Sequence, residues 1–252
     1  MSQRTETLSP RSRVIYEEHS PSHPDLRATV ACFWRFVSPE PLLHVIPPDG
    51  LVNIAWLPVQ QFAVVVGPRM QALHVPLSGG CEYRGLKLLP GVVASVLGVS
   101  APALRGQNLP LRFCAPQIPA PREPFELEDW VRAWPSRKPL DPRPLAWIDA
   151  LLLDPDRSIA EMAAASDLSY RQVLRLFYAA VGLTPKEFAR LRRIRAACLQ
   201  AIAQDGASWA AISLESGFSD QSHLTREFSQ VFGWPPRLIQ EYLRRIEHRL
   251  LR

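Results

Sequence analysis

Cysteine is scarce: Cys32, Cys81, Cys114 and Cys198 are spread over 252 residues with no Cys-x-x-Cys pair. That excludes a disulfide framework or a cysteine zinc site as an organising device and fits a reducing cytosol. Long apolar runs are also missing, none reaching the roughly 18 residues that span a bilayer, and Met1 to Arg13 is polar without an apolar signal core. Membrane insertion and secretion are therefore not expected, and the expected location is cytoplasmic. Charge of one sign is only mildly in excess, 29 basic against 24 acidic residues for a net +5. Such a balance is compatible with a nucleic-acid partner without requiring one. The basic signal is local, in Lys186, Arg190, Arg192, Arg193 and Arg195, with Glu187 the one acid among them.

Proline is unevenly placed. Of 25 prolines, 19 fall at or before residue 140, with 8 of the 12 glycines. Helix interiors do not tolerate that density, so the first part reads as strands and turns, with apolar runs at Val30 to Val37, Leu51 to Leu57 and Phe62 to Val66. From about Leu145 the pattern becomes helical. Between them, 116–144 carries prolines at 116, 119, 121, 124, 135, 139, 142 and 144. This predicts a partly extended linker, with a short amphipathic helix within Phe125 to Trp134. The expected organisation is an α+β multidomain chain. It has a disordered N-terminus (1–13), a β-rich, barrel-like or cupin-like sensor domain (14–115), the linker (116–144) and an all-α domain (145–252).

The helical part repeats itself at an offset of 51 residues: Ser169, Val173, Arg175, Phe177, Gly182 and Pro185 match Asp220, Leu224, Arg226, Phe228, Gly233 and Pro236. Ser169 and Asp220 suit N-caps, the apolar residues form i, i+4 pairs, and each glycine suits a helix stop before a proline-started helix. Shorter helices precede each cap, Ser158 to Ala165, with a Ser158/Glu161 capping box, and Ser208 to Glu215. Helix, short turn and capped second helix is the helix-turn-helix arrangement, present twice. Thr184-Pro185-Lys186-Glu187 opens a helix joining the copies, with Phe188, Leu191, Ile194 and Cys198 on its apolar stripe.

Helical periodicity buries Val173, Leu176, Phe177 and Ala180 and turns Arg171, Leu174, Arg175 and Tyr178 outward. The second copy presents Ser222, Thr225, Arg226 and Ser229, with Gln221 and His223 in the first turn. Such side chains reach base edges. The candidate base-reading set is Arg171, Gln172, Leu174, Arg175, Gln221, Ser222, His223, Thr225 and Arg226. The candidate phosphate-binding set is Ser169, Tyr170, Arg190, Arg192, Arg193, Arg195 and Arg237.

On Ser169 to Phe177 with Gly182-Leu-Thr-Pro185, and Gly217 to Phe228 with Gly233-Trp-Pro-Pro236, the segment 145–245 resembles the DNA-binding domain of the AraC/XylS family of bacterial transcriptional regulators. The resemblance implies seven helices, the third and sixth entering successive major grooves of duplex DNA, and activation through contact with RNA polymerase. Two positions depart from the family pattern. Asp167 stands in the first turn where a small residue is usual, which is tolerable because Asp visits the left-handed region. Pro235 stands where a Ser or Thr cap is usual, so the last helix should start less firmly.

Residues 14–112 resemble the β-rich domain preceding this DNA-binding domain in one branch of that family. The likeness rests on Cys32-Phe33-Trp34, the turn Pro48-Asp49-Gly50 with the strand Leu51 to Trp56, and Gly85-Leu-Lys-Leu-Leu-Pro-Gly91. It implies a domain that receives a small-molecule effector and supports a homodimer. Trp34, Trp56 and Tyr83 are the candidate lining of a ligand pocket. The competing reading is a barrel-type enzyme fused to a DNA-binding domain. His44, His74 and Glu82 lack metal-ligand spacing, Ser78-Gly79-Gly80-Cys81 reads as a turn, and Asp49 reads as a turn residue. No catalytic residue, metal or cofactor is expected.

Overall fold

The computed structural model describes residues 13–121, 125–135, 142–204 and 208–249. The disordered tail expected at 1–13 lies, apart from Arg13, outside the described residues. Nine strands and ten helices longer than a 3-10 turn occur among those described. Strands β1 (Val14–His19), β2 (Val30–Ser38), β4 (Asn53–Leu57), β5 (Phe62–Val66), β7 (Cys81–Leu88), β8 (Asn108–Pro110) and β9 (Ile246–Arg249) form one sheet in the order β8-β5-β4-β7-β2-β1-β9. Strands β3 (Leu42–Ile46) and β6 (Leu73–Leu77) form a separate ribbon.

Register divides the side chains of the large sheet between two faces. Trp34 pairs with Gly85 and Phe36 with Tyr83, so these share a face, whereas Trp56 pairs with Arg84 on the other. The Trp56 face carries the N-terminal core, with Phe33, Ile54, Val65, Leu86 and Leu88 fully buried and helix α1 (Val93–Leu97) packed on it. The opposite face looks toward the helical domain.

The proline-rich stretch is not a free-standing linker where it is described. After α2 (Leu111–Cys114), Ile118 is buried, and α3 (Leu127–Arg132) inserts Trp130 and Val131 into the N-terminal core beside Trp134. The Trp130 indole donates to the Pro119 carbonyl at 2.7 Å. Proline density disfavours long helices, but the aromatic and aliphatic residues between the prolines carry enough apolar surface to dock. Residues 122–124 and 136–141 of that stretch lie outside the described residues.

The helical domain contains α4 (Pro142–Leu153), α5 (Ile159–Ala165), α6 (Tyr170–Val181), α7 (Pro185–Ala203), α8 (Trp209–Glu215), α9 (Gln221–Phe232) and α10 (Pro236–Arg244). Two apolar clusters flank α7. Phe177 and Phe188 anchor one at the first repeat, and Ile194, Phe228 and Phe232 anchor the other at the second. Sequence periodicity did not anticipate β9, which follows α10 and pairs in parallel with β1, Val14 to Glu17 opposite Ile246 to Arg249. The two domains thus share a sheet.

Candidate nucleic-acid interface

The first helix-turn-helix is α5 and α6. Ser158 Oγ accepts the Glu161 N–H at 3.4 Å to start α5. The turn passes through Asp167 at φ 51°, the left-handed conformation its short polar side chain tolerates. Ser169 then opens α6 with a reciprocal cap: its Oγ accepts the Gln172 N–H at 3.3 Å, and Gln172 Oε1 accepts the Ser169 N–H at 2.8 Å. Val173, Phe177 and Val181 are buried, while Arg171 and Arg175 are exposed beside half-buried Leu174. Tyr170 and Tyr178 are exposed large side chains of the same helix.

The second copy is α8 and α9. Ser208 Oγ accepts the Ala211 N–H at 3.2 Å, and Asp220 Oδ1 accepts the His223 N–H at 2.7 Å. That bond, with further hydrogen bonds from Ser219 and the Ser222 N–H and the nearby Arg226 charge, holds the Asp220 carboxyl below its usual range. Leu224, Phe228, Val231 and Phe232 are buried, and Gln221, Ser222, Arg226 and Ser229 are exposed. Glu227, the acid next to Arg226, is taken by Arg190. Several of the polar side chains serve the helix itself. Gln172 is turned back into the cap, His223 lies 3.2 Å from Ser219 Oγ and packs edge-on to Phe218, and Thr225 Oγ1 donates to the Gln221 carbonyl at 2.8 Å. Pro235 supplies no side-chain cap to α10, as its lack of an oxygen dictates.

Helix α7 spans Pro185–Ala203, opened by the Thr184/Glu187 capping box, so the two copies are held by about 28 Å of rigid helix at ~1.5 Å per residue. Its arginines are engaged elsewhere than the sequence suggested. Arg190 pairs with Glu227 and donates to Gln230 at 2.6 Å, Arg193 pairs with Asp156, and Arg195 approaches Glu18 of β1 at 3.6 Å. Arg192 is half-buried, and its Nε has no hydrogen-bond partner among the described residues. The cause is helical geometry: with the apolar stripe buried on both flanks, Arg192 and Arg195 face the N-terminal sheet. Of the candidate phosphate-binding arginines, Arg237 stands exposed near the start of α10.

Arg195 ends in a buried ionic cluster. Lys87 Nζ lies 2.8 Å from Glu18 Oε1 and 2.9 Å from Asp49 Oδ2, and the Tyr16 hydroxyl donates to Glu18 at 2.8 Å. Burial drives both carboxyls up, but Lys87 and Arg195 outweigh it and hold Glu18 and Asp49 below their ordinary values. Burial lowers Lys87 likewise, and the facing acids raise it well above its usual range. Asp49 is the turn residue expected, its Oδ1 accepting the Leu51 N–H at 3.0 Å, and it also serves this cluster. A signal for the cluster was present in the sequence: a lysine within the apolar strand Gly85-Leu-Lys-Leu-Leu requires partners once buried.

Further contacts tie the domains. Gly182 ends α6 at φ 79°, and a Cβ there would lie 2.7 Å from the Ala101 carbonyl oxygen. The Ala72 N–H donates to Val231 at 2.7 Å, and His74 bonds the Phe232 carbonyl at 3.0 Å. The Tyr242 hydroxyl accepts the Val45 N–H at 3.0 Å and meets His44, whose imidazole is pushed down to about 3 by burial and by His248. His44 and His74 are thus packing residues of the domain junction. The three candidate pocket aromatics are not brought together, because Trp56 lies across the sheet from Trp34 and Tyr83. No helix among the described residues is long and apolar enough to cross a membrane.

Two protein families match this chain: one described as a helix-turn-helix domain, over residues 162–242, and a domain of unknown function, DUF6597, over residues 17–110. The chain has no match among curated proteins. Similar solved structures include a transcriptional regulator with an AraC-type DNA-binding domain from Chromobacterium violaceum, at 23% identity and TM-score 0.37 over 40% of this chain and 92% of that one. Another is a probable AraC family regulator from Rhodopseudomonas palustris, at 22% identity and TM-score 0.37 over 41% and 99%. ToxT from Vibrio cholerae is similar over 92% of this chain and 98% of its own, at 10% identity and TM-score 0.41. With two capped helix-turn-helix units joined by one long helix over the matched residues, the C-terminal domain is a DNA-binding helix-turn-helix domain of the AraC type, and residues 17–110 are a DUF6597 domain.

Proposed function

We propose that this protein is a sequence-specific transcriptional regulator that inserts α6 and α9 into successive major grooves on one face of duplex DNA. The observation carrying the proposal is the pair of capped helices with solvent-open outer faces, fixed to the two ends of one continuous helix. Successive major grooves on one face recur about every 34 Å, which a single chain can address with two heads. Base reading falls to Arg171, Leu174, Arg175, Gln221, Ser222 and Arg226, whose side chains are not consumed by caps. Backbone contacts fall to Ser169, Tyr170 and Arg237. The proposed outcome is activation through RNA polymerase, and the N-terminal domain is the proposed receiver of a small molecule or a second copy.

The test is selection of duplexes from a randomised library by the full-length protein. Enrichment of two short, unlike boxes about 10–10.5 base pairs apart supports the proposal. Failure to enrich any sequence at low salt removes it.

A further inference from the structure

A crevice of about 550 Å³ opens where the N-terminal domain meets α7 and α9, lined by Arg69, Gln71, Arg105, Gly106, Arg190 and Gln230 among others. Two of its arginines already hold acids: Arg105 reaches Glu187 at 2.6 Å, and Arg190 holds Glu227. Arg69 differs. Its guanidinium donates to the Gly67 carbonyl at 3.4 Å, to the Gln107 carbonyl at 3.1 Å and to Asn108 Oδ1, all neutral acceptors. Among the described residues no carboxylate faces it, although it is half-buried, and desolvation alone acts on its pKa, downward. A partly desolvated charge fixed by neutral bonds and lacking a counter-ion is suited to an anion arriving from outside.

The position of the crevice names that anion. Arg105 lies close enough to Tyr178 to feel its hydroxyl, and Tyr178 is one turn past Arg175 on the outward face of α6. Gln230 lies one turn past Arg226 on α9. The crevice therefore runs between the ends of the two reading faces. On a duplex whose successive major grooves are both filled, the intervening stretch is a minor groove bordered by two phosphate strands. We infer that the N-terminal domain itself binds the DNA backbone, with Arg69 receiving a phosphate of the strand that crosses between the heads and Arg105 flanking it. The inference rests on the DNA-binding function proposed above and gives the DUF6597 domain a direct part in it. Because Glu187 and Glu227 occupy the neighbouring arginines, the charge offered to DNA is that of Arg69.

The test uses the full chain and a duplex that it selects. Arg69→Gln should bind about fivefold more weakly near 0.15 M salt, with the log–log salt slope shallower by about 0.9 and base preferences unchanged. Arg69→Lys should recover most of the loss. On the wild-type protein, ethylation of phosphates between the two boxes should interfere with binding. An Arg69→Gln protein with wild-type affinity and slope, or wild-type binding indifferent to ethylation between the boxes, overturns the inference. The interference experiment needs no variant and decides the matter even if Arg69→Gln folds poorly. A wild-type protein that selects no duplex would instead overturn the function on which the inference rests.

Discussion

Arg195, in the helix joining the two heads, stands 3.6 Å from Glu18 in the first strand of the other domain, and Glu18 in turn lies 2.8 Å from Lys87. The helix that spaces the heads is thereby tied electrostatically to the sheet. Lys87→Met would leave Glu18 and Asp49 buried without their main counter-charge and should cost about 3–5 kcal/mol in urea unfolding. Arg195→Ala leaves Lys87 in place and should cost less, about 1–3 kcal/mol. Arg195→Ala should not alter the salt slope of DNA binding, whereas Arg237→Ala should reduce it by about 1. A shallower slope for Arg195→Ala would return Arg195 to the phosphate contacts.

Acid should loosen the protein in two stages. His44 is neutral in the fold down to about 3, against an ordinary value of 6.5, so the unfolded chain binds the extra proton in that window and stability falls as pH drops below 6.5. Glu18 and Asp49 are held below ordinary values of 4.5 and 3.8. Their stabilisation is complete above those values and is lost as pH falls through the lowered ones. Lys87, raised above 10.5, contributes fully below that value. Urea midpoints measured from pH 8 to pH 3 should decline from about pH 6.5, and His44→Phe should make that decline shallower, the remainder falling to His248, which burial also lowers. An unchanged steepness in that variant would dismiss His44 as a source of the loss.

Base reading should separate from backbone binding. Arg171→Ala and Arg226→Ala should each cost about 1–3 kcal/mol on the preferred site and relax preference at one base position. Identical selected sequences for wild type and both variants would show that these arginines do not read bases.

The two heads should be rigidly coupled. Inserting 5 base pairs between the boxes turns one of them to the far side of the duplex, so footprints should shrink to a single box. Full protection of both boxes on that DNA would contradict docking on one face.

Gly182 and Gly233 occupy equivalent stops, at φ 79° and 69°, in different surroundings. Alanine at either should cost about 1 kcal/mol from the left-handed backbone. At Gly182 the added methyl would also meet Ala101 and Pro68 of the other domain, whereas nothing lies within 4 Å of Gly233. Thermal unfolding should therefore show the larger loss for Gly182→Ala; equal losses would mean that the close approach relaxes freely.

The helical half was legible because its information is local. Ser169, Thr184 and Asp220 announce helix starts, Gly182 and Gly233 announce stops, and α7 runs between the residues that periodicity assigned. The strands at Val30 and Phe62 could be read in the same way. What escaped depends on distant partners. The arginines of α7 looked free because Glu18 and Asp156 are remote in sequence, and Trp34, Trp56 and Tyr83 looked equivalent because sheet register decides their faces. The packing of Trp130 and Trp134 was masked by the prolines around them. Arg69 and Arg105 gave no signal, lying in loops of unexceptional composition.

Pairing of Ile246–Arg249 with Val14–Glu17 makes the order of biosynthesis matter. On the ribosome, β1 and its neighbours emerge early, yet the outer rim of β1 stays bare until nearly all of the helical domain has been translated. A bare strand rim is a template for pairing with another polypeptide. A nascent chain stalled before residue 246, or a molecule clipped there by a protease, would keep that rim open and be a candidate for chaperone capture or aggregation. Covering the rim of β1 thus waits for residues that follow the reading heads, and the sheet edge passes from the six-residue β1 to the four-residue β9.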